Sequence, residues 1–507
     1  MQTGGTLKKR KRRAIAKVTG LGTVPYDANE DNFDAKTLFS DKSTNDVPNH
    51  FKVTTGSDTR IRMTYLHELG DHQVPQSGRR VTRDPAFHSM EDGYDEEDDF
   101  HANPSNIPTY IPIKSREEYV KERPYFLDKT TMTRLKQILL LGMCSGTFPW
   151  KWNSKTHQID RWSPILEKLW DYQWFFVTIQ TACLTGFQFY SFISRLETDI
   201  KTYREVFMNS VSVYWYVCAV YFNINMYIYK DQIRQYINTM FKFNHDFVDK
   251  YLLHLDDYDD GGRIVINLSI PSNTSQVFAS VALFLVIPYQ PWYLFSYIYP
   301  KPWYCLIPGA IQEFVVVGQV ISNYILYQWV MVAHSNSMEF WLRETHNHND
   351  SGYTRDALRH PKTAIETYRT LQILATCFND CMSPLAIPLM KTHILTGLIP
   401  CGYVFIRSMN NKFIEEFPGI LTYPICVIDC ATAGFTTLSL AAEVFDLACG
   451  FVDSWSRTRQ KDFRRILMSC PVLKVKVGRF YYVTVSTTIT FFKVATDYII
   501  DCIITFP

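Results

Sequence analysis

Seven apolar blocks follow one another between residues 170 and 504. Each is close to the roughly 20 residues that a helix needs to cross a bilayer. In hydrocarbon only helices and closed barrels satisfy every backbone group. Blocks of this length read as helices, so the fold class expected is an all-α membrane protein with seven transmembrane helices. The blocks cover about 170–194, 208–229, 277–299, 306–333, 385–407, 419–442 and 480–504. Pro288 and Pro291 fall inside the third block and predict a kink there. Glu313 lies in the fourth and Asp429 in the sixth.

The chain ahead of the blocks is a different material. Residues 1–128 are polar, with a basic cluster from Lys8 to Arg13 and an acidic run from Glu96 to Asp99. Little between them can build a core, so this stretch reads as a disordered cytoplasmic tail. No apolar run follows the basic cluster, and the first spanning helix is expected to serve as the targeting signal. In a membrane protein the cluster reads as a contact with anionic lipid rather than a nuclear address. Residues 129–165 are expected to form a membrane-proximal amphipathic segment. Within it, 131–146 is too short to span. It predicts a helix at the membrane face or packed on the bundle, ended by Gly146 and Pro149. A formal net charge of +2 gives no field that would draw nucleic acid. The 12 cysteines form no CxxC pair and fall mostly in apolar blocks, so they read as small buried hydrophobes. No metal or cofactor is expected.

Orientation follows from the positive charges. The loops after the second, fourth and sixth blocks are basic, with Lys230, Arg234 and Lys242, then Arg343, Arg355 and Arg359, then Arg457, Arg464 and Arg465. Loops on the other side are short and poorer in charge. The N-terminus is therefore expected in the cytoplasm and the C-terminus outside, opposite to a G-protein-coupled receptor. Two glycosylation sequons, at Asn267 and Asn273, are placed by this reading in the loop after the second block, where they are cytoplasmic and unused.

The last block carries the most specific pattern. On a helix, Ser486, Thr490, Asp497 and Asp501 share one face with Lys493 at its edge, opposite Phe492, Ala495 and Ile499. Carboxylates at membrane depth are expensive unless they meet water or a partner. The stripe therefore reads as a wet surface, either an internal cavity or a pore in a symmetric oligomer. Two plainer readings stand beside it: Lys493 pairs with Asp497 one turn away, and Asp501 is solvated at the membrane edge.

Seven spans, an inside N-terminus, a large loop between the fourth and fifth spans and the stretch from Phe463 to Phe480 together resemble the insect chemoreceptor superfamily, the gustatory and odorant receptors. The gustatory branch carries Thr-Tyr, five apolar residues and Gln-Phe in its last helix. Here the chain has Thr490-Phe491, five residues that include Lys493, then Asp497-Tyr498. Thr490 is kept, and the departures are chemically related; the motif favours the gustatory branch. The resemblance covers about residues 130–507. It implies a ligand-gated, non-selective cation channel of four subunits in the plasma membrane of a sensory neuron dendrite, detecting a small-molecule tastant or odorant. The seven-helix domain would be 166–507, with cytoplasmic anchor loops 336–384 and 443–478 and a pore helix 480–504. Thr490, Val494, Asp497, Tyr498 and Asp501 would line the pore or its gate. The partners implied are other receptor subunits, the bilayer and permeating cations. Leu342, Ile365, Tyr368, Leu371 and Leu374 would belong to the anchor where subunits meet; an amphipathic helix lying on the membrane or on its own bundle explains them equally well.

The ligand pocket would open outward among the first six spans. Its candidates are Gln188, Tyr190, Tyr214, Trp215, Tyr289, Trp292, Gln312, Glu313, Tyr403 and Tyr423. Aromatic faces suit ring-bearing ligands, and Tyr and Trp also populate the membrane interface. Glu313 either binds a cationic ligand or pairs with a neighbouring span. Catalysis is not expected: the string His346-Asn347-His348-Asn349-Asp350 is one loop motif without polar clusters on the spans facing it. A secondary transporter would show repeated broken helices. The prolines of the third and fifth spans point that way, and the odd span count points against it. A G-protein-coupled-type receptor is the other alternative.

Overall fold

The computed structural model describes residues 127, 129–198, 203–253, 262–288, 293, 295, 303–347, 352–410, 419–458 and 461–505. The expected tail, 1–128, lies outside the described residues apart from Leu127. The elements in chain order are α1 (Lys129–Cys144), β1 (Trp150–Asn153), β2 (Gln158–Arg161), α2 (Pro164–Thr198), α3 (Tyr203–Tyr251), α4 (Arg263–Val286), α5 (Leu306–Glu344), α6 (Pro361–Met382), α7 (Ala386–Asn410), α8 (Gly419–Ser456), α9 (Lys461–Ser469), β3 (Lys476–Val477), β4 (Tyr481–Tyr482) and α10 (Val485–Thr505). Among the described residues, three helices are long and apolar enough to cross a membrane by length and composition: Leu306–Glu344, Ala386–Arg407 and Tyr423–Ser456.

The membrane-proximal segment has two parts. Leu135, Ile138, Leu139 and Gly142 recur at helical spacing and form the buried stripe of α1. That stripe packs on α4 and α5, and Trp329 Nε1 donates to the Thr131 carbonyl at 3.1 Å. The chain leaves α1 through Gly146 at φ 71°, a conformation that costs a glycine little. A short antiparallel hairpin then follows, a feature the sequence reading of 129–165 did not include. Its turn is closed by Asn153 Oδ1, which accepts from the Lys155 and Thr156 amides. Asn238 clamps the hairpin to α3 by bonding both the amide and the carbonyl of Ile159.

Helix α5 is the axis of the structure. From Val316 to Leu342 it is buried nearly all the way round, as a helix apolar on every face must be. Its polar residues are used as ties to its neighbours. Asn223 Nδ2 of α3 donates to Gln319 Oε1 at 2.7 Å, Asn225 Nδ2 to the Tyr327 hydroxyl at 2.6 Å, and Ser269 Oγ of α4 to Gln328 Oε1 at 2.9 Å. Further along, Tyr236 meets His334 Nδ1 at 2.6 Å, and Ser337 and Trp341 both donate to Asn244 Oδ1. Buried away from water, such bonds align helices that apolar packing alone leaves free to slide. The 49 residues of α3 and 39 of α5 extend about 73 Å and 58 Å at 1.5 Å per residue. Both exceed the roughly 30 Å of bilayer hydrocarbon.

The third block is placed differently from the sequence reading. Helix α4 runs from Arg263 to Val286 and ends before Pro288, so the apolar stretch 277–299 is not one kinked span; the proline inside the helix is Pro271. The last residue of α4 precedes a backbone that Pro288 pushes out of the helical region, with Ile287 at φ −130° and ψ 60°. The two sequons move with the helix. Asn267 and Asn273 lie within α4 rather than in a loop. Asn273 is buried and its amide donates to Asp429 Oδ2 at 2.7 Å, while Asn267 Oδ1 accepts from Arg134 Nε.

Helix α6 buries Ala364, Ile365, Tyr368, Leu371, Leu374 and Phe378. Together with Leu342, the residues expected at a subunit anchor are therefore core residues of this chain itself. The same helix holds the approach to the last helix. Tyr368 donates to the Pro471 carbonyl at 3.1 Å and stacks on Phe451 at 4.6 Å. Asn379 clasps the Lys474 carbonyl and the Lys476 amide, and Ser383 and Gly478 exchange two bonds. Gly478 turns the chain at φ 60° and brings β3 back onto β4. The last helix begins after this hairpin, at Val485 rather than at 480.

Candidate functional site

Two places in the structure carry polar chemistry against apolar walls. The first is α10. Its start is capped from both sides, with the Thr484 amide donating to Thr487 Oγ1 and the Thr487 amide to Thr484 Oγ1. Thr488, Phe491 and Ala495 are its buried residues. Small residues let it approach its neighbours closely: Ile499 lies over Gly402 of α7, and Phe491 and Phe492 lie by Gly434 of α8. At the far end Arg407 donates to the Ile503 carbonyl, a cation at a helix C-terminus.

The rest of α10 is bare. Ser486, Thr490, Lys493, Asp497 and Asp501 are all exposed in the single chain; Val494 is half-buried and Tyr498 is 55 % exposed. The face assigned to Phe492, Ala495 and Ile499 is the one turned inward. The described ion pairs do not include Lys493 with Asp497. A helix with hydroxyls and two carboxylates turned away from its own bundle cannot meet lipid on that face cheaply.

The second place is a narrow cleft with about 30 Å³ of interior space open to a water-sized sphere. Five helices wall it. Tyr214 and Trp215 come from α3, Asn273 and Gln276 from α4, and Tyr324 from α5. Helix α7 adds His393, Thr396, Gly397, Pro400 and Cys401, and α8 adds Cys426, Asp429 and Cys430. His393, Gly397 and Cys401 are spaced by four, so one face of α7 meets the cleft. A Cβ on Gly397 would lie 2.8 Å from Cys430 Sγ, so glycine is what lets α7 and α8 close here. Cys426 and Cys430 are free thiols with their sulfurs 3.9 Å apart. His393 is the hub of an aromatic cage, its ring 4.6 Å from Tyr324, 5.1 Å from Trp215 and 6.3 Å from Tyr214. Its Nδ1 and the Tyr324 hydroxyl are buried with no hydrogen-bond partner among the described residues. No cluster of three or more His, Cys, Asp or Glu side chains among the described residues is arranged to hold a metal ion.

Of the ten sequence-derived pocket residues, Tyr214 and Trp215 line this cleft. Gln312 accepts from Gln180 of α2 at 2.8 Å. Glu313, 8 % exposed, accepts from the Tyr216 hydroxyl at 3.0 Å, so its partner is the neighbouring α3. Gln188 and Tyr403 are buried away from the cleft, Tyr190 is exposed on α2, and Tyr423 is half-buried on α8. Tyr289 and Trp292 lie outside the described residues. Sequence reasoning missed His393, Tyr324 and Asn273. The available signal was a lone histidine inside the apolar stretch 385–407. In the loop string, His346 packs beside Phe451 and meets the Leu447 carbonyl at 3.3 Å. Burial pushes its imidazole below the usual range, and residues 348–350 lie outside the described residues.

No family model matches the chain, and no curated protein matches it by sequence. Among solved structures the chain is similar to those of an insect olfactory receptor. The olfactory receptor OR5 of Machilis hrabei in complex with eugenol is similar with a TM-score of 0.43 and 10% identity, over 73% of this chain and 98% of that one. A second structure of the same receptor gives a TM-score of 0.41 and 11% identity, over 72% and 96%.

Proposed function

We propose that this chain is a chemosensory receptor subunit: a ligand-gated cation channel in which α10 from several copies, four by the sequence resemblance, lines the pore. The observation that carries this reading is the bare polar face of α10. Thr490, Asp497 and Asp501 point away from a bundle that packs the opposite side of the helix. Symmetric association would turn each of these residues into a ring, and rings of carboxylates attract cations. Asp497 and Tyr498 stand where the gate of the resembling family lies. Carboxylates gathered at a constriction repel one another, which favours an occupying cation or a bound proton.

The approach to α10 gives a route for gating. Its hairpin is bonded to α6 through Asn379 and Ser383, and α6 packs on α3 and α7, two walls of the cleft. The reading places the cleft as the ligand site, the N-terminus in the cytoplasm and the protein in the plasma membrane. The gustatory motif around Thr490 favours taste over odour. The test is a recording from cells expressing the full chain, challenged with tastant and odorant panels. Asp497→Asn is expected to alter cation selectivity or divalent block with surface expression intact. Unaltered permeation in a channel that still opens removes Asp497 from the pore.

A further inference from the structure

The cleft is acidic and aromatic, and no cationic side chain lines it. Asp429 sits half-buried on α8, where its carboxyl meets the Asn273 amide, at 2.7 Å on Oδ2, and the Ser269 hydroxyl. No lysine or arginine among the described residues pairs with it, and none lines the cleft. A carboxylate among apolar helices is costly without a counter-charge, and neutral donors do not supply it. Two further groups in the same cleft lack partners. His393 is 6 % exposed with Nδ1 unbonded, and Tyr324 is 1 % exposed with its hydroxyl unbonded. The cleft thus offers one carboxyl acceptor and two unsatisfied neutral groups. Trp215, Tyr214 and Tyr324 supply ring faces, which attract cations as well as apolar rings.

Resting on the ligand role given to this cleft, we propose that it takes a small protonated amine with an aromatic or apolar body, the ammonium on Asp429 and the body against the aromatic cage of His393. An ammonium brings donors and the counter-charge that Asp429 lacks. A carboxylate ligand would be repelled by Asp429. A neutral alcohol could bond His393 or Tyr324 but would leave Asp429 without its counter-charge.

The test compares three probes of one shape on the full chain in lipid nanodiscs: phenethylamine, 2-phenylethanol and phenylacetate. Binding is read by quenching of intrinsic tryptophan fluorescence, so no current is needed. Phenethylamine is expected to bind at least tenfold more tightly than 2-phenylethanol, and phenylacetate most weakly. Asp429→Asn is expected to remove that preference, weakening phenethylamine at least tenfold relative to 2-phenylethanol. Equal affinity for amine and alcohol in the unmodified chain, or no binding of any probe, overturns the proposal. So does an amine preference that survives in Asp429→Asn. Because the first comparison needs no variant, a misfolded Asp429→Asn does not rescue the idea. Amine binding that depends on Asp429 but opens no conductance would sink the channel reading and keep this one. Currents evoked by neutral compounds and indifferent to Asp429→Asn would do the reverse.

Discussion

Helices α5 and α10 both carry polar residues among apolar ones, and they dispose of them in opposite ways. On α5, Gln319, Tyr327, Gln328, His334 and Ser337 each find a side chain of a neighbouring helix, and from Val316 to Leu342 the helix is almost wholly buried. On α10, Ser486, Thr490, Lys493, Asp497 and Asp501 face outward, and three residues alone are buried. Polar groups that are paired inside one chain fix its fold. Polar groups left bare on an otherwise apolar helix await water, another copy or both. The same residue types thus serve architecture in one helix and, on the reading proposed for α10, conduction in the other.

The contrast ranks the effects of substitution. Trp329→Ala should be the most damaging, since it empties a fully buried site on α5 and breaks the bond to Thr131. A cost of about 3–5 kcal/mol is expected, seen as a large fall in the thermal unfolding temperature of the purified chain. Gly402→Leu should come next, because even a Cβ there would stand 2.8 Å from Ile499 Cδ1. Overpacking of this kind costs about 1–3 kcal/mol, and loosening of α10 should show as faster alkylation of Cys502. A double-mutant cycle on Asn223 and Gln319, each changed to Leu, should return a coupling of about 0.6 kcal/mol. Thr490→Val should leave stability within about 0.5 kcal/mol while changing conduction. If Thr490→Val unfolds the protein as readily as the α5 variants, the two helices do not differ in the way described.

Much of this contrast is legible in the sequence, because it depends on one helix at a time. The length of the apolar blocks reports α2, α5, α7 and α8, and the spacing of Thr490, Asp497 and Asp501 reports the outward face of α10. What fails is whatever depends on a distant partner. Asn267, Ser269 and Asn273 made 263–276 look too polar for the third block, yet Asn267 bonds Arg134, Ser269 bonds Gln328 and Asn273 bonds Asp429 once the helices meet. The aromatic run after Pro288 looked more apolar and drew the block thirteen residues or more too far along. The β1–β2 hairpin escaped because four residues give too short an alternation to register. The cleft is the extreme case: its walls come from five helices, and no local pattern joins His393 to Tyr324 or to Asp429.

The central claim is that the polar face of α10 meets water in the assembled protein. Single cysteines at 489, 490, 497, 500 and 501, treated with a charged, membrane-impermeant thiol reagent on intact cells and scored against unsubstituted chain, test it directly. The account predicts labelling at 490, 497 and 501, blocked by permeant-sized organic cations, and little labelling at 489 and 500, which present the apolar side chains Ile489 and Ile500. Equal labelling at all five positions, or labelling at 489 and 500 alone, would contradict it.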